Sequence, residues 1–194
     1  RNHPSGRGGT HLTKQKEVQE YKNMNQTNFW DDAAKCGAII GCVSILCMLL
    51  RDATRIGVFG LLGFAFYCGM LLFFTRRRTA ECSTAEQEYD FGQRFGFVVA
   101  ISAFVGVING AYSILACRIL FSEQYAAAYD EAFGIVAATG IYPAEFLSDL
   151  QQIMLSPLVQ AFSAIAGQLV LGVILGLVIA ATVQPPRNFD KQSE

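Results

Sequence analysis

Asp90, Gln93 and Arg94 stand within about one helical turn of each other in QEYDFGQRFGF, residues 87–97. A carboxylate, an amide and a guanidinium at that spacing could form the rim of a site that holds a polar ligand or moves a proton. Two more primary amides, Asn109 and Gln168, lie deep in apolar sequence, and Glu123, Asp130, Glu131, Glu145 and Asp149 gather in a stretch with no Lys or Arg. The cysteines, Cys36, Cys42, Cys47, Cys68, Cys82 and Cys117, include no C-x-x-C pair. Five of the six fall in apolar runs and read as small apolar side chains, so neither a disulfide framework nor a zinc site is indicated. Both histidines, His3 and His11, precede the apolar body of the chain.

The elements that would have to position these groups are membrane helices. With 194 residues, 52% of them hydrophobic, 16% charged and a mean hydropathy of +0.32, the chain is too apolar for an ordinary soluble domain. Crossing the hydrocarbon core takes about 20 helical residues at roughly 1.5 Å each. Four segments meet or approach that length: Ala33 to Leu50, Ile56 to Thr75, Phe95 to Leu120 and Ser156 to Val183. The fold class expected is all-α, a polytopic membrane protein of four transmembrane helices with an extracytoplasmic amphipathic helical insert between the third and fourth.

Residues 1–28 are polar and Gly-rich with no apolar stripe and are expected to be a disordered tail, with Met24 reading as a natural start. Residues 29–184 form the membrane domain, including the acidic insert 121–155, and 185–194 form a short tail. Twelve Lys and Arg fall in the N-terminal region, in the stretch from Thr75 to Arg94 and after Val183, against Arg51, Arg55 and Arg118 on the other side. That asymmetry predicts both termini in the cytoplasm, with Arg76, Arg77 and Arg78 as the deciding cluster.

On that frame QEYDFGQRFGF lies where the chain enters the third span. Tyr89, Phe91 and Phe95 suit the headgroup level, Asp90, Gln93 and Arg94 stay wet, and Asp90 with Arg94 makes a local i,i+4 contact. An interfacial turn accounts for every residue type without chemistry and is preferred to a ligand site.

The order of features, FWDDAAKCGAIIGCVSIL opening the first span, a basic connection, YDFGQRFGF before the third, an acidic insert, then GQLVLGVILGLVIAATV, resembles the DUF4199 family of small bacterial membrane proteins. The resemblance covers about Asn25 to Val183. It implies four transmembrane helices and supplies no catalytic residues. Some members of the family are encoded near polyprenol-phosphate glycosyltransferases, which implies a setting in envelope assembly and a partner enzyme of that kind.

Lipid tails are as apolar as Leu, so membrane helices associate by close packing and interhelical hydrogen bonds. Small residues four apart serve this at Gly37 and Gly41, Gly106 and Gly110, and Gly172 and Gly176, and they predict a compact bundle or a homo-oligomer face. GAIIGCVSIL from Gly37 and GVINGAYSIL from Gly106 share six identities at one offset of 69 residues, as a duplicated helical hairpin would give. Counting rise from the span ends puts Asn109 and Gln168 at equal depth, so a direct amide-to-amide hydrogen bond is expected. In the insert, two helices parted near Gly140 should turn Tyr129, Phe133, Phe146 and Leu150 toward bilayer or bundle and Asp130 and Glu145 to water; Leu147 belongs to the same apolar stripe as Phe146 and Leu150.

The expected spans hold no His, Asp or Glu, so catalysis is disfavoured, and no cofactor, metal or nucleic acid is expected. Ion or proton transport, which marks its path with intramembrane ionisable groups, is disfavoured too. Two readings remain: an accessory or scaffolding protein of the bacterial inner membrane, whose partners are lipids, further copies or a membrane enzyme, and a small transporter or channel subunit for a neutral or lipid-like molecule.

Overall fold

The computed structural model describes the backbone of residues 9–83 and 89–183, with side chains from residue 29 onward. Among the described residues six helices follow in order: α1 (Gly9–Thr54), α2 (Val58–Cys82), α3 (Phe91–Leu115), α4 (Ser122–Ala138), α5 (Ala144–Met154) and α6 (Pro157–Thr182). A π-helical turn, Ala116–Leu120, prolongs α3. No strand occurs among the described residues. Among the described residues four segments are long and apolar enough to span a bilayer: Phe29–Thr54, Val58–Cys82, Phe91–Leu120 and Pro157–Thr182, of 26, 25, 30 and 26 residues. At about 1.5 Å per residue each exceeds the roughly 30 Å hydrocarbon thickness. The protein is a multi-pass membrane protein.

The N-terminal stretch differs from expectation. The helix of the first span continues back to Gly9, where a disordered tail was expected through residue 28; residues 1–8 and 184–194 lie outside the described residues. Lys14 to Met24 is rich in Lys, Gln and Glu, all good helix formers. Extending an existing helix avoids the costly nucleus that makes an isolated helix marginal. The absence of an apolar stripe therefore does not end it.

α3 is the centre. Of its most apolar window 44% is buried, against 17 to 22% in the other spans, which leave most of their surface to lipid. Phe97, Val98, Ile101, Ser102 and Val105 are at most 1% exposed. On one side α3 meets α1, where a Cβ on Gly37 would lie 2.6 Å from Phe104 Cβ and one on Gly41 2.7 Å from Ile108 Cδ1. On the other it meets α6 still more closely, since a Cβ on Gly172 would lie 2.3 Å from both Cβ and Oγ of Ser102. Gly106 and Gly110 of α3 face Ile165 and Ala161, and Gly176 of α6 faces Phe95. All six glycines therefore face helices of the same chain and serve the bundle itself.

These partners do not repeat across the two similar segments. Gly37 and Gly41 pack on α3, whereas the corresponding Gly106 and Gly110 pack on α6, which follows α3 as α2 follows α1. A duplicated hairpin would give corresponding glycines corresponding partners, so the packing does not follow the internal likeness.

Between α3 and α6 the chain makes two helices, with Gly140 in the left-handed region at φ 64° in the turn between them. Tyr129, Phe133 and Leu150 are half-buried, and Asp130 and Glu145 are exposed. Phe146 is 50% exposed and stacked on Tyr142, with ring centroids 5.8 Å apart. Its neighbour Leu147, of the same apolar stripe, turns into the bundle at 6% exposed. Gln151 Nε2 donates to Asp130 Oδ1 at 2.5 Å, joining α5 to α4, and Gln160 of α6 donates to Tyr129 of α4 and to the Met154 carbonyl.

The contact at Gly172 is testable by adding volume in steps. Gly172→Val should lower the midpoint of thermal unfolding in mild detergent by an amount equivalent to about 1 to 3 kcal/mol. Gly172→Ala should cost less than Gly172→Val, following the volume added. Gly69→Val, at a position with no side chain or distant backbone within 4 Å of an added Cβ, should be close to neutral.

Candidate functional site

At the end of the bundle that carries the insert, the last turn of α1 holds Arg51 and Asp52. A carboxylate near a helix C-terminus faces the negative end of the helix dipole, so it needs compensation from elsewhere. Asp52 Oδ1 accepts from Arg51 Nε at 2.9 Å and lies 2.8 Å from its Nη2, while Oδ2 accepts from the Tyr112 hydroxyl at 3.0 Å and the Tyr125 hydroxyl at 3.2 Å. Only 9% of the Asp52 side chain is exposed. One carboxylate thereby ties α1 to α3 through Tyr112 and to the insert through Tyr125. Burial, and then the Asp52 charge, push the Tyr125 phenol up to about 12. In the sequence Arg51 stands out only as one of three basic residues on the insert side, and nothing local singles out Asp52. The available signal was a pair of opposite charges closing an apolar helix, but nothing local marks Tyr112 and Tyr125 as its partners.

Beneath this knot all four spans line one cavity of about 220 Å³. Its polar groups are Ser44 and Arg51 from α1, Tyr67 from α2, Asn109 from α3 and Gln168 from α6, with Phe64 among the apolar ones. Ser102 Oγ donates its only proton to the Val98 carbonyl at 2.8 Å, so in the 2.7 Å contact with Tyr67 it is Tyr67 that donates. Asn109 is 9% exposed, and its Oδ1 has no hydrogen-bond partner among the described residues. Leaving a buried acceptor unpaired costs about 1 to 3 kcal/mol.

The expected hydrogen bond between Asn109 and Gln168 does not form. Both amides reach the same cavity, yet no bond joins them among the described residues. The reason is axial. A Cβ on Gly106 would lie 3.2 Å from Gln168 Cβ, so Gln168 sits level with Gly106, and Asn109 is three residues, about 4.5 Å, further along α3. Counting from guessed span ends missed that offset, because α3 starts at Phe91 and not at Phe95.

At the opposite end Arg78 of α2 is 7% exposed. Its guanidinium carbon lies 4.7 Å from the Phe97 ring centroid and 5.3 Å from that of Phe29. Nε donates to the Tyr89 hydroxyl at 3.2 Å, and Nη1 pairs with Asp32 of α1. Stacking on two rings out of water adds about 2 kcal/mol to such an arrangement. The last residue of the arginine triplet is therefore a clamp on α1 and α3, and Tyr89 is buried, where an interfacial ring was expected. Burial raises the Tyr89 phenol above its ordinary range, and the Arg78 charge opposes that shift.

The stretch 89–97 itself resolves into helix-capping chemistry. Asp90 is the N-cap of α3, and its N–H donates to Gln93 Oε1 at 3.1 Å, as in a capping box. Arg94 makes no ion pair with Asp90 among the described residues, because its Nη1 reaches across to the Val183 carbonyl at the end of α6. That carbonyl belongs to the four that a helix C-terminus leaves without internal partners, and a cation there also suits the dipole.

The cysteines of the described residues are all free, and no cluster of three His, Cys, Asp or Glu suited to a metal occurs among them. His3 and His11 lie outside the residues whose side chains are described. What the cavity can do with hydroxyl, amide and guanidinium groups is hold a molecule by hydrogen bonds.

Removing the carboxylate should loosen the insert end. Asp52→Ala should destabilise more than Tyr125→Phe, which should cost about 1.5 kcal/mol, because the first leaves Arg51 and two phenols without their acceptor. A raised tyrosine pKa stabilises fully below the ordinary value near 10 and loses that contribution as pH rises towards about 12. The gap in unfolding midpoint between wild type and Tyr125→Phe should therefore narrow across that window, as read by thermal scans in detergent.

Residues 35–184 match the family model described as Protein of unknown function (DUF4199). The chain matches no curated protein and no solved structure. The family match takes in the basic connection, the capped start of α3, the insert and α6. With well over half of its length covered, the chain belongs to the DUF4199 family.

Proposed function

We propose that this is an accessory or scaffolding protein of the bacterial inner membrane, with both termini in the cytoplasm and the insert on the outer side. Its partner would be a membrane enzyme of envelope lipid or glycan assembly, such as a polyprenol-phosphate glycosyltransferase. The observation that carries this reading is the insert. It is tied down at Tyr125 and Tyr129, yet it exposes Ile135 at 67%, Ile141 at 72%, Phe146 at 50% and Ile153 at 56% beside its five exposed acids. A fixed platform with apolar rows and a single sign of charge suits a basic, partly apolar partner surface at the membrane. The charge asymmetry supports the orientation, since Arg76 and Arg77 remain outside the core although Arg78 is buried.

A second reading, a small transporter or channel subunit for a neutral or lipid-like molecule, draws support from the polar cavity between the spans.

Affinity purification in mild detergent tests the first reading. A membrane enzyme should accompany the wild-type chain and be lost from Ile141→Asp with Phe146→Asp, while stability stays unchanged. A chain that purifies alone and carries flux in liposomes would support the second reading instead. For orientation, Glu81→Cys and Ser148→Cys, both at exposed positions in a cysteine-free background, should differ in intact cells exposed to an impermeant thiol reagent. Position 148 should label and position 81 should not; the reverse would overturn the orientation.

A further inference from the structure

At the end of the bundle opposite the insert, α1, α2 and α3 line a second pocket, of about 210 Å³. Its wall carries both signs of charge, Lys35, Arg77 and Arg78 against Asp32 and Glu81, and it carries apolar side chains at Ile39 and Phe74. Ile39 follows Lys35 by four residues, about 6 Å along α1, and Phe74 precedes Arg77 by three, about 4.5 Å along α2. Going towards the bilayer centre, the wall therefore changes from charged to apolar over about one helical turn, as headgroups give way to acyl chains. Trp30, two residues before Asp32 and 54% exposed, is of a type concentrated at that level.

The clamp on Arg78 leaves two atoms unused. Nε donates to Tyr89 and Nη1 pairs with Asp32 Oδ2, so Nη2 has no hydrogen-bond partner among the described residues, and neither has Asp32 Oδ1. Both can be reached, since the unpaired side-chain atoms closed off among the described residues belong to Thr75, Ser83, Arg94 and Asn109. Arg78 is more than nine-tenths buried and its guanidinium is held by two aromatic rings, which makes Nη2 a donor fixed in place. The other charges of the wall are held less firmly. Lys35 pairs with Asp31 and Arg77 with Glu81 as exposed i,i+4 contacts, weak enough to exchange partners.

A fixed cationic donor beside an open carboxylate oxygen selects a ligand that carries both charges. A phosphate alone gains at Arg78 but meets Asp32 and Glu81, and an amine alone meets the converse. A phosphate and a primary ammonium in one group satisfy both atoms at once through charge-assisted hydrogen bonds. A quaternary ammonium has no N–H to donate to Asp32 Oδ1. The volume equals roughly seven water molecules at 30 Å³ each, close to the about eight non-hydrogen atoms of a phosphoethanolamine group.

We propose that this pocket binds a phosphoethanolamine group, with the phosphate on Arg78 Nη2 and the ammonium on Asp32 Oδ1. The same group heads a membrane lipid and also exists free in solution; a lipid would lay its first acyl segments along Ile39 and Phe74. The site stands whether the chain is a scaffold or a transporter subunit, and the orientation proposed above puts it at the cytoplasmic leaflet.

Dihexanoyl lipids below their micelle concentrations, with phosphoethanolamine, phosphocholine or phosphoglycerol heads, and free phosphoethanolamine serve as probes. The full chain is held in an uncharged, phosphate-free detergent, and binding is read by calorimetry and thermal shift. The ethanolamine lipid should bind and raise the unfolding midpoint, and the choline and glycerol lipids should bind about tenfold more weakly. Asp32→Asn keeps an acceptor for Arg78 Nη1 but loses the charge that meets the ammonium, so it should erase the preference for ethanolamine over glycerol. Glu81→Gln should narrow that preference by a smaller factor without touching the clamp, and it decides the matter should Asp32→Asn unfold. Arg76→Gln, outside the pocket wall, should leave it unchanged. Free phosphoethanolamine binding as tightly as the lipid indicates a soluble ligand, whereas much weaker binding indicates a lipid head. Equal binding of the three lipids would mean unspecific adsorption, and preference for the glycerol lipid would mean an anion site; either overturns the proposal. So does failure of the ethanolamine lipid to bind, or a preference that survives unchanged in Glu81→Gln and in any folded Asp32→Asn.

Discussion

The approach of α6 to α3, close enough that Gly172 has no room for a Cβ beside Ser102, is the constraint on which the rest of the structure depends. In a bilayer no hydrophobic force separates helix from lipid, so helices stay together only where their backbones come close or polar groups bond across. Here the two devices coincide. Ser102, which lies against Gly172, also accepts the Tyr67 hydroxyl from α2, so one residue of α3 engages two other helices. Gly37 and Gly41 bring α1 onto another face of α3. With three helices fixed about a fourth, any mismatch in their side chains must appear between them, and the polar cavity near the insert end is that mismatch.

Two buried charged residues close the ends of this arrangement by unlike means. Arg78 is held by aromatic faces, a phenol and a carboxylate, while Asp52 is held by a guanidinium and two phenols. Both are costly to bury alone and inexpensive once surrounded by partners from several helices, so each makes the register of those helices interdependent. Asp52 goes further, because Arg51 beside it also lines the cavity and Tyr125 belongs to the insert. A displacement of the insert would therefore be felt at the cavity wall through a single carboxylate. This gives the platform and the cavity a physical connection, whichever of them meets the partner or ligand first.

Much of the architecture was legible because its signals are local. Long charge-free runs give spans, Gly140 and Pro143 give the break in the insert, and small residues four apart give the close faces. What sequence reading missed depends on axial offset and on distant partners. Asn109 and Gln168 were recognised as the deep amides but given the wrong relation, since helix ends guessed from composition carry errors of a turn. Asp52 was missed altogether. A single Asp next to an Arg at a helix end reads as a surface pair until Tyr112 and Tyr125, 60 and 73 residues away, are seen to converge on it. In QEYDFGQRFGF the residue types were read correctly as structural, but Arg94 serves α6 rather than Asp90.

The central claim is that a polar, water-accessible cavity lies among the spans, with Asn109 and Gln168 on its wall. Rates of reaction with a small neutral thiol reagent would test it most directly, using Asn109→Cys and Gln168→Cys in a cysteine-free chain, compared with Val107→Cys and Val170→Cys. Those two controls lie close by on the same helices at 57% and 60% exposure, on surface given to lipid. A thiol reacts as its thiolate, which forms in water and not in hydrocarbon. The structure predicts that cysteines at 109 and 168 react readily while those at 107 and 170 stay nearly inert. Equal rates at all four positions, or inert cysteines at 109 and 168, would contradict it.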